Sequence, residues 1–160
     1  MENNKYVKIH SLVRMLGALL AIVVFISMFI AKQALHVPEN ARLNYAFNSG
    51  AFFGYEGFIK GNVLAFVCYI FVILGGLAGL AFVFIDELIG KDLTKLLSFV
   101  VGGVMVVSGI LIALFFPVFK AINHLGSNYT TAAGPIVFGV LAVLAGACNA
   151  AAPILEDKGF

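Results

Sequence analysis

Ionisable residues are nearly absent from the middle of this chain: no Asp, Glu, Lys or Arg lies between Val63 and Ile85 or between Leu96 and Phe119. Ion-coupled transport and proton relays generally work through ionisable groups at membrane depth, so this absence argues against a secondary transporter acting alone. Cysteine is scarce as well. Cys68 and Cys148 stand far apart, whereas thiol redox chemistry needs a close pair with a depressed pKa. Each falls in an apolar run, and the two runs are expected to be parallel, which sets the thiols at opposite depths and out of reach of a disulfide. Metal ligands are thin: His36, Glu39 and His124 are the best grouping, short of a closed ligand set. Ser and His occur without a nucleophile setting, and no phosphate-binding glycine loop follows a strand, since Gly102 and Gly103 sit inside an apolar run. The basic residues are dispersed and the formal charge is only +2, which gives no footprint for nucleic acid. No catalytic residue, metal or cofactor is expected.

What fills the chain instead is apolar. Of 160 residues 62% are hydrophobic and 11% charged, with a mean hydropathy of +1.05, outside the range of a soluble domain. A helix crosses the hydrocarbon core with about 20 residues. Four runs of that size predict spans at Leu12 to Ala31, Val63 to Ile85, Leu96 to Phe119 and Ala132 to Leu155. The expected fold is an all-α integral membrane protein, a single four-helix bundle. The second and third runs form a hairpin around which the others pack, joined by a charged inner loop, Asp86 to Lys95. Lys32 to Asn62 and Lys120 to Thr131 are the outer loops, the first being the longer. Pro135 suits the first turn of the fourth span, and Pro153 marks its end. Arg14 is expected to snorkel to the interface.

Orientation follows from the basic residues. Lys5, Lys8, Arg14, Lys91, Lys95 and Lys158 fall on the side of the termini, against Lys32, Arg42, Lys60 and Lys120 opposite, which makes both termini cytoplasmic and the cell membrane the expected location. Asn128-Tyr129-Thr130 is a glycosylation sequon in form, with meaning only in a secretory context.

Helices in lipid associate through small residues that let backbones approach. Candidate packing positions are Gly75 and Gly79 in the second span, Ser98, Gly102, Gly109 and Ala113 in the third, and Ala142, Gly146 and Ala150 in the fourth. Asn149 is the most conspicuous polar residue within a span, read as an interhelical hydrogen bond and accompanied by Ser27, Ser108 and Tyr69. The first outer loop is unusual. Tyr45, Phe47, Phe52, Phe53, Tyr55 and Phe58 alternate with Gly50, Gly54, Gly57 and Gly61, too apolar to be solvated and too rich in glycine for one continuous helix. Pro38 to Phe47 could form a short helix with proline in its first turn. An interfacial aromatic belt is the plainer reading. The sharper expectation is that Phe52-Phe53-Gly54-Tyr55 docks a membrane protein partner or a second copy while the rest caps the helix ends.

In order of spans and relative loop length the chain resembles claudins and tetraspanins. Their outer-loop cysteines, and the claudin loop tryptophan, have no counterpart between Lys32 and Asn62, so no residue role is carried over. Glu39-Asn40-Ala41-Arg42-Leu43-Asn44 is similar in composition to the first loop of the small four-span glutathione transferases, without their spacing. The function expected is therefore non-catalytic: an accessory or assembly subunit of a membrane, acting through lateral contacts and its aromatic loop. The alternatives are an oligomeric channel or carrier and, behind that, a membrane enzyme on a lipophilic substrate.

Overall fold

The computed structural model describes residues 8–36, 50–54 and 60–159. In chain order these form α1 (Ile9–Ile30), β1 (Ala34–His36), α2 (Gly50–Phe53), α3 (Val63–Ile89), α4 (Lys91–Ala113), α5 (Phe115–Asn123), β2 (Tyr129–Thr131) and α6 (Ala133–Asp157). The expected helix over Pro38 to Phe47 lies outside the described residues. Four of the helices, α1, α3, α4 and α6, are long and apolar enough to cross a membrane.

Their packing inverts that of a soluble bundle. In α1 the buried face carries Arg14, Gly17, Ala18, Ala21, Val24, Ser27 and Met28 at helical spacing, while Leu12, Leu16, Leu19, Ile26 and Phe29 face outward. In α6 the buried line is Gly139, Ala142, Ala145, Gly146, Asn149 and Ala152, and Ile136, Val140 and Leu144 are exposed. Large apolar side chains outside and small or polar ones inside are the arrangement lipid favours, because close approach of backbones replaces hydrophobic exclusion as the source of association.

Around the bundle α1 lies between α3 and α6, and α4 lies between the same two on the other side. The closest pair is α4 with α6 rather than the α3–α4 hairpin. The space for a β-carbon on Gly102 meets the Gly146 carbonyl oxygen at 2.7 Å, and that for one on Gly139 meets the Gly109 oxygen at 2.6 Å. Two glycine crossings seven residues apart on each helix, in reversed order, fix these helices as antiparallel.

Several expected boundaries move. The inner loop contracts to one residue: α3 continues through Asp86 and Glu87 to Ile89, and α4 begins at Lys91. Gly90 turns the chain with φ 87°, a conformation glycine adopts without steric cost, and its carbonyl accepts the Thr94 backbone N–H and hydroxyl at 3.1 Å each. The third run breaks at Leu114 instead of continuing to Phe119. Pro117 is the cause, since it has no N–H for the Ala113 carbonyl and its ring collides with that turn; inside α5 it occupies the first turn, where no N–H is needed. Pro153 does not end the last helix; α6 runs past it to Asp157. The all-α description also acquires a small exception, an antiparallel pairing of β1 with β2 in the register Leu35 opposite Thr130, which laces the connection after α1 to the one before α6.

Candidate functional site

The richest gathering of polar and aromatic side chains is at the end of the bundle where β1, α2, α5 and β2 meet the helices, here called the capped end. The start of α2 and the chain entering α3 are tied together by the Asn62 N–H donating to the Ala51 carbonyl at 2.8 Å. Gly61 is required there: a β-carbon on it would lie 2.6 Å from the Gly54 nitrogen and from the Phe53 carbonyl carbon. Adjacent residues on one helical turn point about 100° apart, so Phe52 and Phe53 separate. Phe52 turns inward and is 1% exposed, with its ring edge-on to Tyr69 at 5.5 Å and to Phe115 at 5.6 Å. Phe115 stacks on Phe119 at 5.2 Å, and both are buried. Phe53 turns outward, 63% exposed, with Phe66 at 4.8 Å.

This corrects the expected docking surface. Phe52 is a core residue and offers nothing to a partner, because α2 dips between α3 and α5 and places that ring inside. Of the other aromatic residues proposed for docking, Tyr45, Phe47, Tyr55 and Phe58 lie outside the described residues. A clasp completes the cap: Asn123 accepts the Lys60 N–H at 2.6 Å, and its amide nitrogen donates to the Lys60 and Phe119 carbonyls at 3.0 Å each.

Three buried polar side chains, Ser27, Gln33 and Tyr69, adjoin this aromatic cluster through Tyr69. The Ser27 hydroxyl donates to the Val24 carbonyl at 2.6 Å, and the Gln33 amide nitrogen donates to the Ala31 carbonyl at 2.9 Å. The Tyr69 hydroxyl lies against both side chains. Neither it nor Gln33 Oε1 closes a hydrogen bond of ordinary geometry, although both residues are 0% exposed.

A second polar point sits mid-bundle. Asn149 donates through Nδ2 to the Gly75 carbonyl at 3.3 Å and to Met105 Sδ at 3.1 Å, tying α6 to α3 and α4. Its Oδ1 points at the Gly79 Cα, where a β-carbon would overlap it. Gly75 and Gly79, expected to line one groove, thus serve different neighbours: Gly75 backs onto Met105 of α4 and Gly79 onto Asn149 of α6. Ala142 is buried, and Ala150 contacts the Gly102 position at 3.0 Å. Ser108 and Cys68 are buried on facing helices, and both cysteines are free thiols.

At the opposite end Arg14 is 2% exposed with its guanidinium 5.6 Å from the Phe82 ring centroid, so it is held inside rather than snorkelling outward. Lys91 pairs with Glu156 at 3.4 Å and Lys95 with Asp157, which ties the start of α4 to the end of α6.

Reading the residues in order missed Gly17, Gly76 and Gly139, each of which abuts a neighbouring helix, and Gln33, Phe115, Phe119 and Asn123 in the cap. Gly139 had a signal, since it precedes Gly146 by the same seven residues that separate Gly102 from Gly109. The grooves between helices are apolar: one of about 340 Å³ between α3 and α4 is lined by Val67, Cys68, Phe71, Val104, Ser108 and Leu111. Among the described residues no three His, Cys, Asp or Glu side chains gather as a metal site. The chain matches no family model, no curated protein and no solved structure.

Proposed function

We propose that this chain is a non-catalytic subunit of a cell membrane, with both termini cytoplasmic, that assembles laterally with a membrane protein partner or a second copy through the outward face of its capped end. The observation that carries the reading is the division of labour between neighbours: Phe52 is spent on anchoring, while Phe53 is held 63% exposed on that anchored turn with Phe66 beside it. A preorganised aromatic pair brings contact area at little cost in rotamer freedom, which suits a docking anchor. Phe53→Ser should leave the helices folded and inserted yet remove the partner, or the dimer, from material purified in mild detergent. Phe52→Ser should instead loosen the cap, since deleting a buried phenylalanine typically costs about 3 kcal/mol or more. Retention of every native partner by a folded Phe53→Ser variant would reduce the surface to an aromatic belt at the lipid interface.

A further inference from the structure

We infer that the outward-facing furrow between α3 and α4 holds one acyl chain of an anionic phospholipid, whose phosphate is met at the capped end by Lys60 and Lys120. The inference is independent of the assembly role: Phe66 follows Leu64, which lines the furrow, by two residues and so points roughly 160° away from it around α3.

The furrow consists of two apolar grooves joined end to end. One of about 340 Å³ begins at Leu64 and Leu111 near the capped end, and one of about 250 Å³ continues it to Ala78 and Val100, with Phe71 and Val104 lining both. The helix from Leu64 to Ala78 is about 21 Å long at 1.5 Å per residue. One leaflet of the hydrocarbon core is about 15 Å deep, half of the whole, so a chain whose headgroup sits at the capped end has a seat over its full depth. Gly103 keeps this space open. It is exposed on α4, lines the larger groove, and a β-carbon on it would meet nothing within 4 Å. Gly102 beside it is accounted for by the crossing with Gly146, whereas Gly103 serves no helix contact and weakens the helix that carries it. The missing side chain makes room for a neighbour that is not this protein.

Charge selects the headgroup. The Asn123 clasp sets the two lysines side by side, because its amide nitrogen donates to the Lys60 carbonyl and also to that of Phe119, the residue before Lys120. Lys60 in turn precedes Leu64, at the head of the furrow, by four residues. Neither lysine has an ion-pair partner among the described residues, in contrast to Lys91 and Lys95 at the other end, which pair with Glu156 and Asp157. In sequence, residues 32–62 and 120–131 carry four basic residues, Lys32, Arg42, Lys60 and Lys120, against the acidic Glu39 and Glu56. Flexible lysine stems allow both ammonium groups to converge on one phosphate, and a lysine at an anionic lipid surface strengthens binding about fivefold. A zwitterionic headgroup brings its own cation beside the phosphate and gains less.

Native mass spectrometry of the full chain, released from nanodiscs of equal parts phosphatidylglycerol and phosphatidylcholine, reads which lipid stays bound. Wild type should retain one phosphatidylglycerol severalfold over phosphatidylcholine. Lys60→Gln combined with Lys120→Gln should bring that ratio close to one, and Lys91→Gln combined with Lys95→Gln should leave it unchanged. Gly103→Leu should remove the retained lipid of either kind, since the leucine fills the furrow. If that variant unfolds, Val104→Phe, at a position 43% exposed in the same furrow, makes the comparison. Equal retention of the two lipids by wild type, or a preference lost with Lys91 and Lys95 instead, would overturn the headgroup site. Retention undiminished in a folded Gly103→Leu or Val104→Phe variant would overturn the furrow as the seat of the chain.

Discussion

At the scale of single residues, what matters in this bundle is where a side chain is missing. Gly79 and Asn149 are a matched pair: the amide occupies the space a β-carbon at Gly79 would take, and its Oδ1 meets the Gly79 Cα–H instead of a conventional donor, a weak bond that recurs where helices approach closely. Gly79→Ala should therefore destabilise the bundle by pushing the amide off Gly75 and Met105, by about 1 to 3 kcal/mol as overpacking usually does. Asn149→Ala alone should cost less, near the roughly 0.6 kcal/mol typical of interhelical hydrogen bonds in membranes. The double variant should be more stable than the sum of the two implies, because the clash exists only when both side chains are present. Strict additivity in detergent unfolding would show that Asn149 does not fill the Gly79 notch. The side-chain type at Asn149 was legible as an interhelical contact, but its partners were not, since backbone acceptors such as the Gly75 carbonyl leave no mark in a sequence.

At the scale of elements, hydropathy located four helices and misplaced several of their ends, for a physical reason. It registers the solvent a segment prefers, whereas a helix stops where its hydrogen-bond ladder fails. Asp86, Glu87, Leu88 and Ile89 are tolerated in a helix whether or not lipid surrounds them, so α3 continues until Gly90 turns it. Phe115 to Phe119 is as apolar as the run before it, yet Pro117 breaks the ladder at Leu114. Lateral pairing was only partly legible. Small residues mark a close crossing but not which helix they cross, and the α4–α6 pair emerges once Gly102 and Gly109 are set against Gly146 and Gly139. Neighbouring glycines give the sharpest test of that pairing. A side chain on Gly102 would meet the Gly146 carbonyl, while one on Gly103 meets nothing within 4 Å. Gly102→Leu should part α4 from α6 and lower the unfolding midpoint in detergent markedly, and Gly103→Leu should be nearly silent apart from its helix propensity, worth up to about 1 kcal/mol in its favour. Equal loss in both variants would place the α4–α6 crossing elsewhere.

At the scale of the whole molecule, the two ends of the bundle are built differently, and the contrast bears on orientation. One end is closed by backbone pairing of β1 with β2, by the Asn123 clasp and by packed aromatic rings, with the exposed polar residues Gly126, Ser127 and Asn128 at its tip. The other end has no strand among the described residues and is held by the ion pairs Lys91–Glu156 and Lys95–Asp157 around a one-residue turn. Surface ion pairs are weak, usually below about 1 kcal/mol, so the charges at that end stabilise little. Among the described residues Lys8, Lys91, Lys95 and Lys158 nevertheless form the kind of basic fringe that is retained in the cytoplasm during insertion, against Lys32, Lys60 and Lys120 at the capped end. We therefore expect the capped end to face outward. In a background with Cys68→Ala and Cys148→Ala, a membrane-impermeant thiol reagent added to intact cells should label Ser127→Cys and spare Gly159→Cys, and opening the cells should expose the second site. Both positions are exposed, so access depends on the side of the membrane rather than on burial. Labelling of Gly159→Cys alone in intact cells would invert the molecule, and labelling of both would place Ser127 and Gly159 on one side and break the alternating order of the helices.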